Sequence, residues 1–409
     1  IMDLAGTNQG GLLSPSMFRF MLGDLLSYLC PKYGVVLDDK VITHLLWADD
    51  LILMATTPEG LQKQLDGLLE FCSHFQMIIN ETKVLPFGNY VPCDFTFNNT
   101  TLDIVEEYKY LGVIVNSIKT LRGNMFRKNF GYTVDKANKA SFSITKKCRS
   151  LGHITPKIGS YLFDTYVTAN LSYGCEIWCG KKSDKSIEAV KLKFMKYLLG
   201  VKQSTCSTAV LGELGCYPVY VNFHIRMIKY CIRLVNMDNF YLVKKAFITL
   251  RHLHNCGFNN WFSRAVEILC ENDVNTDGLF TDCMNSDFIK TFRSSIQDNF
   301  VNQWKNDLLN FPILRFYRSF KSEFECEDYL DMVKDFKIRR CISRFRLSSH
   351  HLAIETGRHT KPKTPEDERL CTYCNKNKIE NELHMFIECD FYTDERKTLL
   401  VNIINCELD

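Results

Sequence analysis

The chain has 409 residues, of which 46% are hydrophobic and 24% are charged, and its formal net charge is +3. These values predict a globular protein of about two to four domains, and the small net charge means that any contact with nucleic acid must come from local basic faces. No apolar run of about 18 residues and no secretory signal is visible, so we expect no membrane contact and an intracellular protein, nuclear or cytoplasmic.

The first predicted element is a helix that begins at Ser14, since a hydroxyl at the N-cap followed by Pro15 is typical of a helix start. Ahead of it, Gly10-Gly11 would let a backbone or a ligand approach closely, although an ordinary loop fits the same residues. Apolar residues recur at helical spacing and predict one buried face: Phe18, Met21, Leu22, Leu25, Leu26 and Leu29.

Two adjacent carboxylates, Asp49 and Asp50, come next, between the apolar β-prone runs 41–46 and 51–55. Asp favours turns, so the pattern predicts a hairpin with these residues at or near its tip. The two negative charges repel each other unless solvent screens them or a cation lies between them. The segment is therefore either a solvated turn or a site for the Mg²⁺ pair of nucleotidyl transfer.

Residues 57–116 are predicted to contain one helix followed by short strands. The helix begins at Thr57-Pro58, and its apolar residues recur at helical spacing. The strands are predicted at 84–87, with Pro86 indicating a sheet edge, at 95–97 and 102–105 around an Asn98-Asn99 turn, and at 107–115 as one further strand.

Four short motifs follow one another within these residues: Gln9-Gly10-Gly11-Leu12-Leu13-Ser14-Pro15, Trp47-Ala48-Asp49-Asp50, Asn80 with Lys83, and Tyr110-Leu111-Gly112. Their order and spacing resemble motifs B, C, D and E of a reverse transcriptase palm. The residues at the motif positions are most similar to those of non-LTR retrotransposons of the long interspersed element type.

The resemblance implies a role for each motif. Asp49 and Asp50 would hold two Mg²⁺ ions about 3.5–4 Å apart, which activate the primer 3′-hydroxyl and neutralise the leaving pyrophosphate. Lys83 would donate a proton to the pyrophosphate or balance its charge, unless it is a solvated surface lysine. The other implied contacts are nucleotide and template binding by Gln9 and Gly10, a place near the primer end for Trp47 and Ala48, and a primer grip at Tyr110, Leu111 and Gly112.

One part of the family's palm has no counterpart in the sequence. The first metal-binding aspartate of the family lies in motif A, on a strand well upstream of motif B. Asp3 lies only six residues before Gln9 and is too close to be that residue. We therefore expect that this chain lacks the fingers and motif A, that it is the C-terminal part of a longer product, and that its incomplete metal site does not polymerise alone.

Residues 117–200 combine cations with apolar residues at helical spacing: Val134, Ala137, Phe142 and Ile144. A basic helical region directly after a palm resembles the thumb, which would grip the primer–template backbone through its phosphates. A solvated basic face is the alternative. The cations are Arg122, Lys128, Lys136, Lys139, Lys146, Lys147 and Arg149.

Residues 201–360 carry long apolar periodicity and are predicted to be helical. Aromatic residues in this region, such as Phe292, Trp304 and Tyr317, are expected to pack in the core rather than to stack on bases. A second basic patch is predicted at 337–346. The polar segment that follows, 361–368, contains two prolines and is predicted to be a linker.

The chain contains 18 cysteines, most of them single residues in apolar segments, as expected for reduced thiols in a core. Cys371, Cys374, His384 and Cys389 instead have the spacing C-x2-C-x9-H-x4-C. Four protein ligands would complete a structural Zn²⁺ site, whereas unlinked side chains are the alternative. The cluster resembles the C-terminal cysteine–histidine module of the same retroelements. Its cations Lys376, Lys378 and Arg396 suggest contact with nucleic acid.

The predicted fold class is α+β, with a partial palm of antiparallel sheet and helices before mostly helical regions and a small zinc module. The predicted domains are a partial palm at 1–116, a thumb-like region at 117–200, a helical C-terminal domain at 201–360 and a zinc-knuckle-like module at 361–409. The predicted function is RNA-directed DNA polymerisation by a non-LTR retrotransposon enzyme that uses an RNA template, a DNA primer and deoxynucleoside triphosphates. A non-catalytic nucleic-acid-binding remnant or co-opted protein is the alternative.

Overall fold

The computed structural model describes residues 11–79, 82–90, 92–119, 124–152, 154–178, 185–281, 283–285 and 287–406. The chain divides into two compact units. Unit 1 comprises residues 1–133, 174–179 and 226–289, and unit 2 comprises residues 134–173, 180–225 and 290–409. The predicted domains follow the chain in order, whereas each unit gathers separate segments of it.

The helices of the described residues are, in chain order, α1 (Ser14–Leu22), α2 (Leu25–Tyr28), α3 (Pro58–Phe75), α4 (Arg127–Ser150), α5 (Pro156–Phe163), α6 (Ala169–Leu171), α7 (Cys175–Trp178), α8 (Lys185–Leu199), α9 (Ser207–Leu214), α10 (Val219–Val235), α11 (Leu242–Asn255), α12 (Trp261–Cys270), α13 (Phe288–Asn310), α14 (Tyr329–Met332), α15 (Phe336–Arg346), α16 (Ala353–Thr356) and α17 (Thr393–Cys406). In the part of the chain that the structure describes, no helix is both long and apolar enough to cross a membrane.

The strands are β1 (Val35–Leu37), β2 (Lys40–Ile42), β3 (His44–Trp47), β4 (Asp50–Leu53), β5 (Lys83–Val84), β6 (Thr96–Phe97), β7 (Thr100–Thr101), β8 (Asp103–Ile104), β9 (Glu107–Tyr110) and β10 (Val113–Asn116). They pair two by two: β1–β2, β3–β4, β6–β7 and β9–β10 are antiparallel, and β5–β8 is parallel. The mixed α and β class is as predicted, but small separate sheets replace the single antiparallel sheet that was expected. Strands of two to four residues offer few hydrogen bonds, and all except the parallel pair β5–β8 pair with the strand next to them in a hairpin.

Turn chemistry explains where the strand predictions are right and where they are wrong. Asn98 and Asn99 both have positive φ, 47° and 59°, and form the predicted turn between β6 and β7. The prediction of one strand over 107–115 is wrong, because Leu111 and Gly112 also have positive φ, 45° and 82°. Two such residues in succession make a two-residue hairpin turn, so the segment folds back as β9 and β10.

The helix boundaries were likewise predicted correctly in some places and wrongly in others. The Thr57 hydroxyl caps α3 by accepting a hydrogen bond from the Gly60 backbone N–H at 3.0 Å, as predicted. The helix predicted from Ser14 to Leu29 is interrupted between α1 and α2, and Ser14 lies inside α1 rather than at its cap. Of the strand predicted at 84–87, β5 includes only Val84, consistent with the missing N–H of Pro86.

Helix α3 runs through the core of unit 1. Leu68, Phe71 and Cys72 on α3 pack against residues of α1 and α2, and Leu46, Leu51 and Leu53 of the β3–β4 hairpin pack on the same cluster. The fully buried Gln64 side chain accepts a hydrogen bond from the Cys30 N–H at 3.0 Å and donates one to the Cys30 carbonyl at 2.7 Å. The core therefore fixes the base of the hairpin that carries the two aspartates.

In unit 2 a buried carboxylate, Glu213 on α9, ties several segments together. Arg346 on α15 donates to it at 2.6 Å, and the Tyr329 hydroxyl donates to it at 2.7 Å. Burial raises the pKa of Tyr329, which keeps this donor protonated. Because a buried polar group without a partner is destabilising, these hydrogen bonds stabilise the position of Glu213 inside the unit.

The close approach of α3 to α2 makes a stability prediction. A Cβ at Gly67 would lie 2.1 Å from the Tyr28 carbonyl oxygen, so Gly67→Ala should destabilise unit 1 by about 1–3 kcal/mol through overpacking. The matched control is Gly131→Ala on α4, where a Cβ meets nothing within 4 Å and higher helix propensity should stabilise by about 0.5–1 kcal/mol. Urea unfolding measures both changes, and equal effects of the two variants would contradict the prediction.

Candidate functional site

The two aspartates lie at the tip of the β3–β4 hairpin, as the sequence predicts. Trp47 pairs with Asp50 at the end of the ladder, and Ala48 and Asp49 form the two-residue connection. Trp47 is 67% exposed, and Ala48, Asp49 and Asp50 are exposed as well. The carboxylates therefore face solvent on a short rigid hairpin whose base packs on the core.

Two neighbouring turns hold non-glycine residues in the left-handed region. Ala48 has φ of 56° in the β3–β4 connection, and Leu111 has φ of 45° in the β9–β10 connection. An L-residue in this region costs about 1–2 kcal/mol, and such strain clusters at functional sites. Both residues belong to motifs that the sequence analysis singled out.

Tyr110 brings the β9–β10 hairpin near the aspartates. Burial raises the pKa of Tyr110, and the negative charge of Asp50 raises this pKa further. A charge effect of this kind requires the carboxylate to lie close to the phenol. The predicted primer-grip residue and one predicted metal ligand thus share one surface of unit 1.

Lys83 lies next to the β9–β10 hairpin of unit 1. It is an exposed residue of β5, paired with Asp103 of β8, and it lines a cleft together with Glu107, Tyr108, Lys109 and Ile114. Two lysines in one cleft attract a phosphate. Gln9, Gly10, Asn80 and Arg122, which the sequence analysis also named, lie outside the described residues.

The two carboxylates at the hairpin tip are the type of ligand that Mg²⁺ prefers, but they would fill only part of its coordination shell. Mg²⁺ prefers oxygen ligands in octahedral geometry and is bound through one or two carboxylates with waters and substrate phosphates. Among the described residues, no third carboxylate, histidine or cysteine joins Asp49 and Asp50 as a ligand group. Further ligands to such an ion must come from phosphates, water or residues outside this set.

The predicted zinc ligands do come together. The ligand atoms of Cys371, Cys374, His384 and Cys389 all lie within 4.8 Å of one another, with 3.9 Å between the Sγ atoms of Cys371 and Cys389 and 3.3 Å between Cys374 Sγ and His384 Nε2. Zn–S bonds of about 2.3 Å in a tetrahedron place two sulfur atoms about 3.8 Å apart. The four side chains therefore fit one Zn²⁺ ion.

A fifth residue supports this cluster and was missed from the sequence. Glu388 Oε2 lies 3.4 Å from His384 Nδ1, the ring nitrogen that does not face the cysteines. A carboxylate on the second nitrogen orients a metal-binding histidine, and Lys378 lowers the pKa of this carboxylate by a direct hydrogen bond. The spacing of four residues between His384 and Glu388, one helical turn, is the signal that would have found it.

The zinc module is anchored to the rest of unit 2 by buried ion pairs. Arg315 donates to Glu382 at 2.8 Å and to Glu355 at 3.0 Å, and His350 Nε2 lies 3.0 Å from Glu382. Glu382 is 2% exposed. Because both carboxylates share one arginine, the module keeps a fixed position on the helices of its own unit.

In the C-terminal part, most of the cations that were proposed to contact nucleic acid form hydrogen bonds or ion pairs within unit 2. Arg339 is buried and donates to the Val333 carbonyl at 2.7 Å, and Arg344 donates to the Gly200 carbonyl at 2.8 Å. In the zinc module, Lys376 pairs with Asp390 at 2.6 Å, and Arg396 donates to the Ile387 and Cys389 carbonyls. The predicted second basic patch is therefore largely structural, since it caps carbonyls and pairs buried acids.

Helix α4 differs from these segments because its cations point outward. Lys136, Lys139, Lys146 and Lys147 are exposed, and the structure gives no carboxylate within ion-pair distance of any of them in the part of the chain that it describes. Phe142 is 71% exposed, although its helical spacing suggested the buried face. The core aromatics were predicted correctly: Phe292, Trp304 and Tyr317 are buried.

Comparison with known proteins shows that part of the chain is similar to a known family. Residues 2–115 match the family described as Reverse transcriptase (RNA-dependent DNA polymerase). The chain is 34% identical over 149 residues to a transposon-derived protein of Caenorhabditis elegans, an alignment that covers 35% of this chain and 50% of that protein.

Two retrovirus-related Pol polyproteins are also similar. One comes from a type-1 retrotransposable element R2 of Nasonia vitripennis, with 33% identity over 128 residues, 27% of this chain and 12% of the polyprotein. The other comes from the type-2 retrotransposable element R2DM of Drosophila melanogaster, with 35% identity over 83 residues, 20% of this chain and 8% of the polyprotein. The matched segments thus span half or less of each relative.

The electrostatic interaction between Asp50 and Tyr110 gives a prediction that can be tested without measuring enzymatic activity. Asp50→Asn should lower the pKa of Tyr110, because a neutral side chain no longer disfavours the phenolate, while burial still holds this pKa above its ordinary value. The measurement is an NMR titration of ¹³C-labelled tyrosine, with the Tyr110 signal assigned through Tyr110→Phe. Asp66→Asn on α3 is the control, and an unchanged Tyr110 pKa in Asp50→Asn would refute the proximity.

The zinc cluster predicts one equivalent of Zn²⁺ in the reduced, purified chain. Removal of the ion with a chelator should unfold residues 368–396, since structural zinc supplies roughly 10–16 kcal/mol in small finger peptides. Hydrogen exchange on the whole chain measures this opening and should leave α3 and α8 protected. His384→Ala should lose the metal, Glu388→Gln should weaken its binding about 10–100-fold, and Cys283→Ser should change nothing. Less than half an equivalent of zinc, or no local opening, would contradict the assignment.

Proposed function

Because residues 2–115 are related to reverse transcriptases of retrotransposon origin, we propose that the chain takes part in RNA-directed DNA synthesis by a non-LTR retrotransposon enzyme. The substrates are an RNA template, a DNA primer and deoxynucleoside triphosphates. The observation that carries the proposal is the pair Asp49 and Asp50, exposed at the tip of a hairpin that the core holds in place. Adjacent carboxylates in that position suit nucleotidyl transfer, and neither forms an ion pair with a residue that the structure describes.

The roles of the tip residues follow from their placement. Asp49, in the turn, and Asp50, the first residue of β4, present oxygen ligands for Mg²⁺. Bound Mg²⁺ would lower the charge barrier between the primer 3′-hydroxyl and the triphosphate and would neutralise the departing pyrophosphate. Trp47 and Ala48 flank these ligands in the hairpin and are proposed to contact the primer end and the incoming nucleotide.

The β9–β10 hairpin is proposed to hold the primer strand. Tyr110 lies near Asp50, and the hydroxyl of this half-buried residue is suited to donate to a phosphate or sugar oxygen of the primer. Leu111 and Gly112 form the tight turn beside it, which brings backbone N–H groups close to the strand. These contacts position the primer end relative to the aspartates.

The cleft around Lys83 supports a role that differs from the pyrophosphate roles implied by the resemblance. It lines the same cleft as Lys109 on the β9–β10 hairpin. We therefore propose that Lys83 and Lys109 bind a primer phosphate, a contact that needs only a positive charge. Proton donation to the pyrophosphate would require Lys83 to reach the aspartates instead.

The remaining regions are proposed to serve binding and stability. Residues 117–200, which include the basic helix α4, act as the thumb-like region, and residues 201–360 form the helical C-terminal domain. Residues 361–409 form the module that Zn²⁺ stabilises. Residues 1–116 are the palm part.

The catalytic proposal is tested by metal binding and by primer extension. Mn²⁺ bound in the presence of primer–template and the next nucleotide, measured by electron paramagnetic resonance, should be lost in Asp49→Asn, because one of the two carboxylates is neutralised. Template binding should be unchanged in this variant. Asp24→Asn, an exposed aspartate between α1 and α2, is the matched control and should bind Mn²⁺ as the parent does.

Primer extension separates the polymerase from the alternative. The 409 residues alone should incorporate no deoxynucleotide with Mg²⁺, since the described residues supply only two carboxylates to the site. With the reading frame extended upstream to include a motif A carboxylate, extension should appear and Asp49→Asn should abolish it. Incorporation that survives Asp49→Asn would overturn the site. A chain that binds RNA but extends no primer in the longer form would instead be the co-opted or remnant protein.

A further inference from the structure

Phe142 is an exposed aromatic ring on the outer face of α4. Its side chain is 71% exposed, while Ala137 and Cys148 on the same helix are 0% and 2% exposed. Lys139 lies one turn before it and Lys146 one turn after it, so these three side chains share one face. A helix that only covered a core would place its aromatic residue on the buried face rather than among lysines.

The face around Phe142 carries positive charge that is not neutralised. Within the described ranges, Lys128 pairs with Glu107 at 2.6 Å and Lys157 pairs with Asp331 at 3.3 Å. By contrast, no such pair is found there for Lys139 or Lys146. The row from Lys136 to Lys147 extends about 16 Å along the helix axis, which is long enough to contact several phosphates.

The helix presents this face rigidly. The Thr145 carbonyl of α4 accepts a hydrogen bond from the Tyr197 hydroxyl of α8 at 3.5 Å, and the Arg149 guanidinium lies 5.3 Å from the centre of the Tyr197 ring. A ring on a fixed helix loses little conformational entropy when it binds. A ligand that binds Phe142 therefore does not have to order the helix backbone.

Double-stranded and single-stranded ligands use such a face differently. A duplex presents phosphates outside and keeps its bases stacked inside, so the lysines find partners but the phenyl ring does not. An unpaired strand offers both phosphates and open base faces, and positive charge combined with an aromatic platform is the usual means of binding it. The ring among lysines thus matches a single strand better than a duplex.

We propose that α4 binds single-stranded nucleic acid, with Phe142 stacked on an unpaired base and with Lys139 and Lys146 on the flanking phosphates. The proposal rests on the proposed function in one respect: the ligand is the unpaired part of the template strand. It does not depend on the aspartates. Because stacking tolerates any base, this face distinguishes single-stranded from double-stranded nucleic acid and does not distinguish one base from another.

The test is equilibrium binding of the whole chain to labelled 12-nucleotide oligo(U) and oligo(dT) and to a 12-base-pair duplex, without divalent ions or nucleotides. Phe142→Ala should weaken binding of both single strands by about five- to hundred-fold and leave the duplex within about twofold. Phe142→Trp should retain single-strand affinity, whereas Phe142→Leu, which keeps the apolar surface but not the ring, should lose it. Tyr166→Ala, which removes a ring that is 58% exposed in the same unit, is the matched control and should have no effect.

Salt dependence separates the ring from the lysines. Lys139→Gln with Lys146→Gln should reduce the slope of log affinity against log salt by about 0.7 per lysine on a single strand, while Phe142→Ala should leave this slope unchanged. Equal losses on duplex and single strand, or no loss on either in Phe142→Ala, would overturn the proposal. Because no metal ion is present, a failed metal site at Asp49 would not alter these results, and the two proposals fail separately.

Discussion

Helix α3 approaches the end of α2 as closely as it does because Gly67 has no side chain. A Cβ there would collide with the Tyr28 carbonyl oxygen, and one turn away Gln64 satisfies both backbone groups of Cys30. A buried amide with both of its groups paired is stable, whereas an unpaired one would cost about 1–3 kcal/mol. This contact sets the distance between the helices, and the aspartate hairpin packs on the surface that they form.

As a consequence, the β3–β4 hairpin that carries the candidate metal site has a base held by the core and a tip exposed to solvent. Apolar residues of β3 and β4 are fixed by the core, while the two carboxylates project into solvent at a strained turn. Two like charges this close are tolerated because water screens them. The same exposure leaves their oxygens accessible to a cation and to the phosphates of a nucleotide, which a buried pair would not allow.

Unit 2 distributes its positive charges in two ways. In α15 and the zinc module, arginines and lysines bind backbone carbonyls and pair with carboxylates, both buried and exposed, so they stabilise the unit and attract little nucleic acid. Along α4 the lysines remain exposed around an aromatic ring. The net charge and the runs of charged residues in the sequence do not distinguish cations that pair internally from cations that can attract nucleic acid. A cation acts on a distant phosphate only when no nearby carboxylate neutralises it.

The sequence by itself determined the features that depend on local chemistry. The Asp49-Asp50 hairpin, the Thr57 cap, the Asn98-Asn99 turn and the zinc-ligand spacing all follow from interactions between residues close in the chain. Tertiary structure alone decided which cations are internal, that Tyr110 lies near Asp50, that Lys83 and Lys109 line one cleft, and that Phe142 is exposed. Helical spacing shows that residues share a face but not whether another element covers it. That depends on packing between segments far apart in the chain, which local periodicity does not encode.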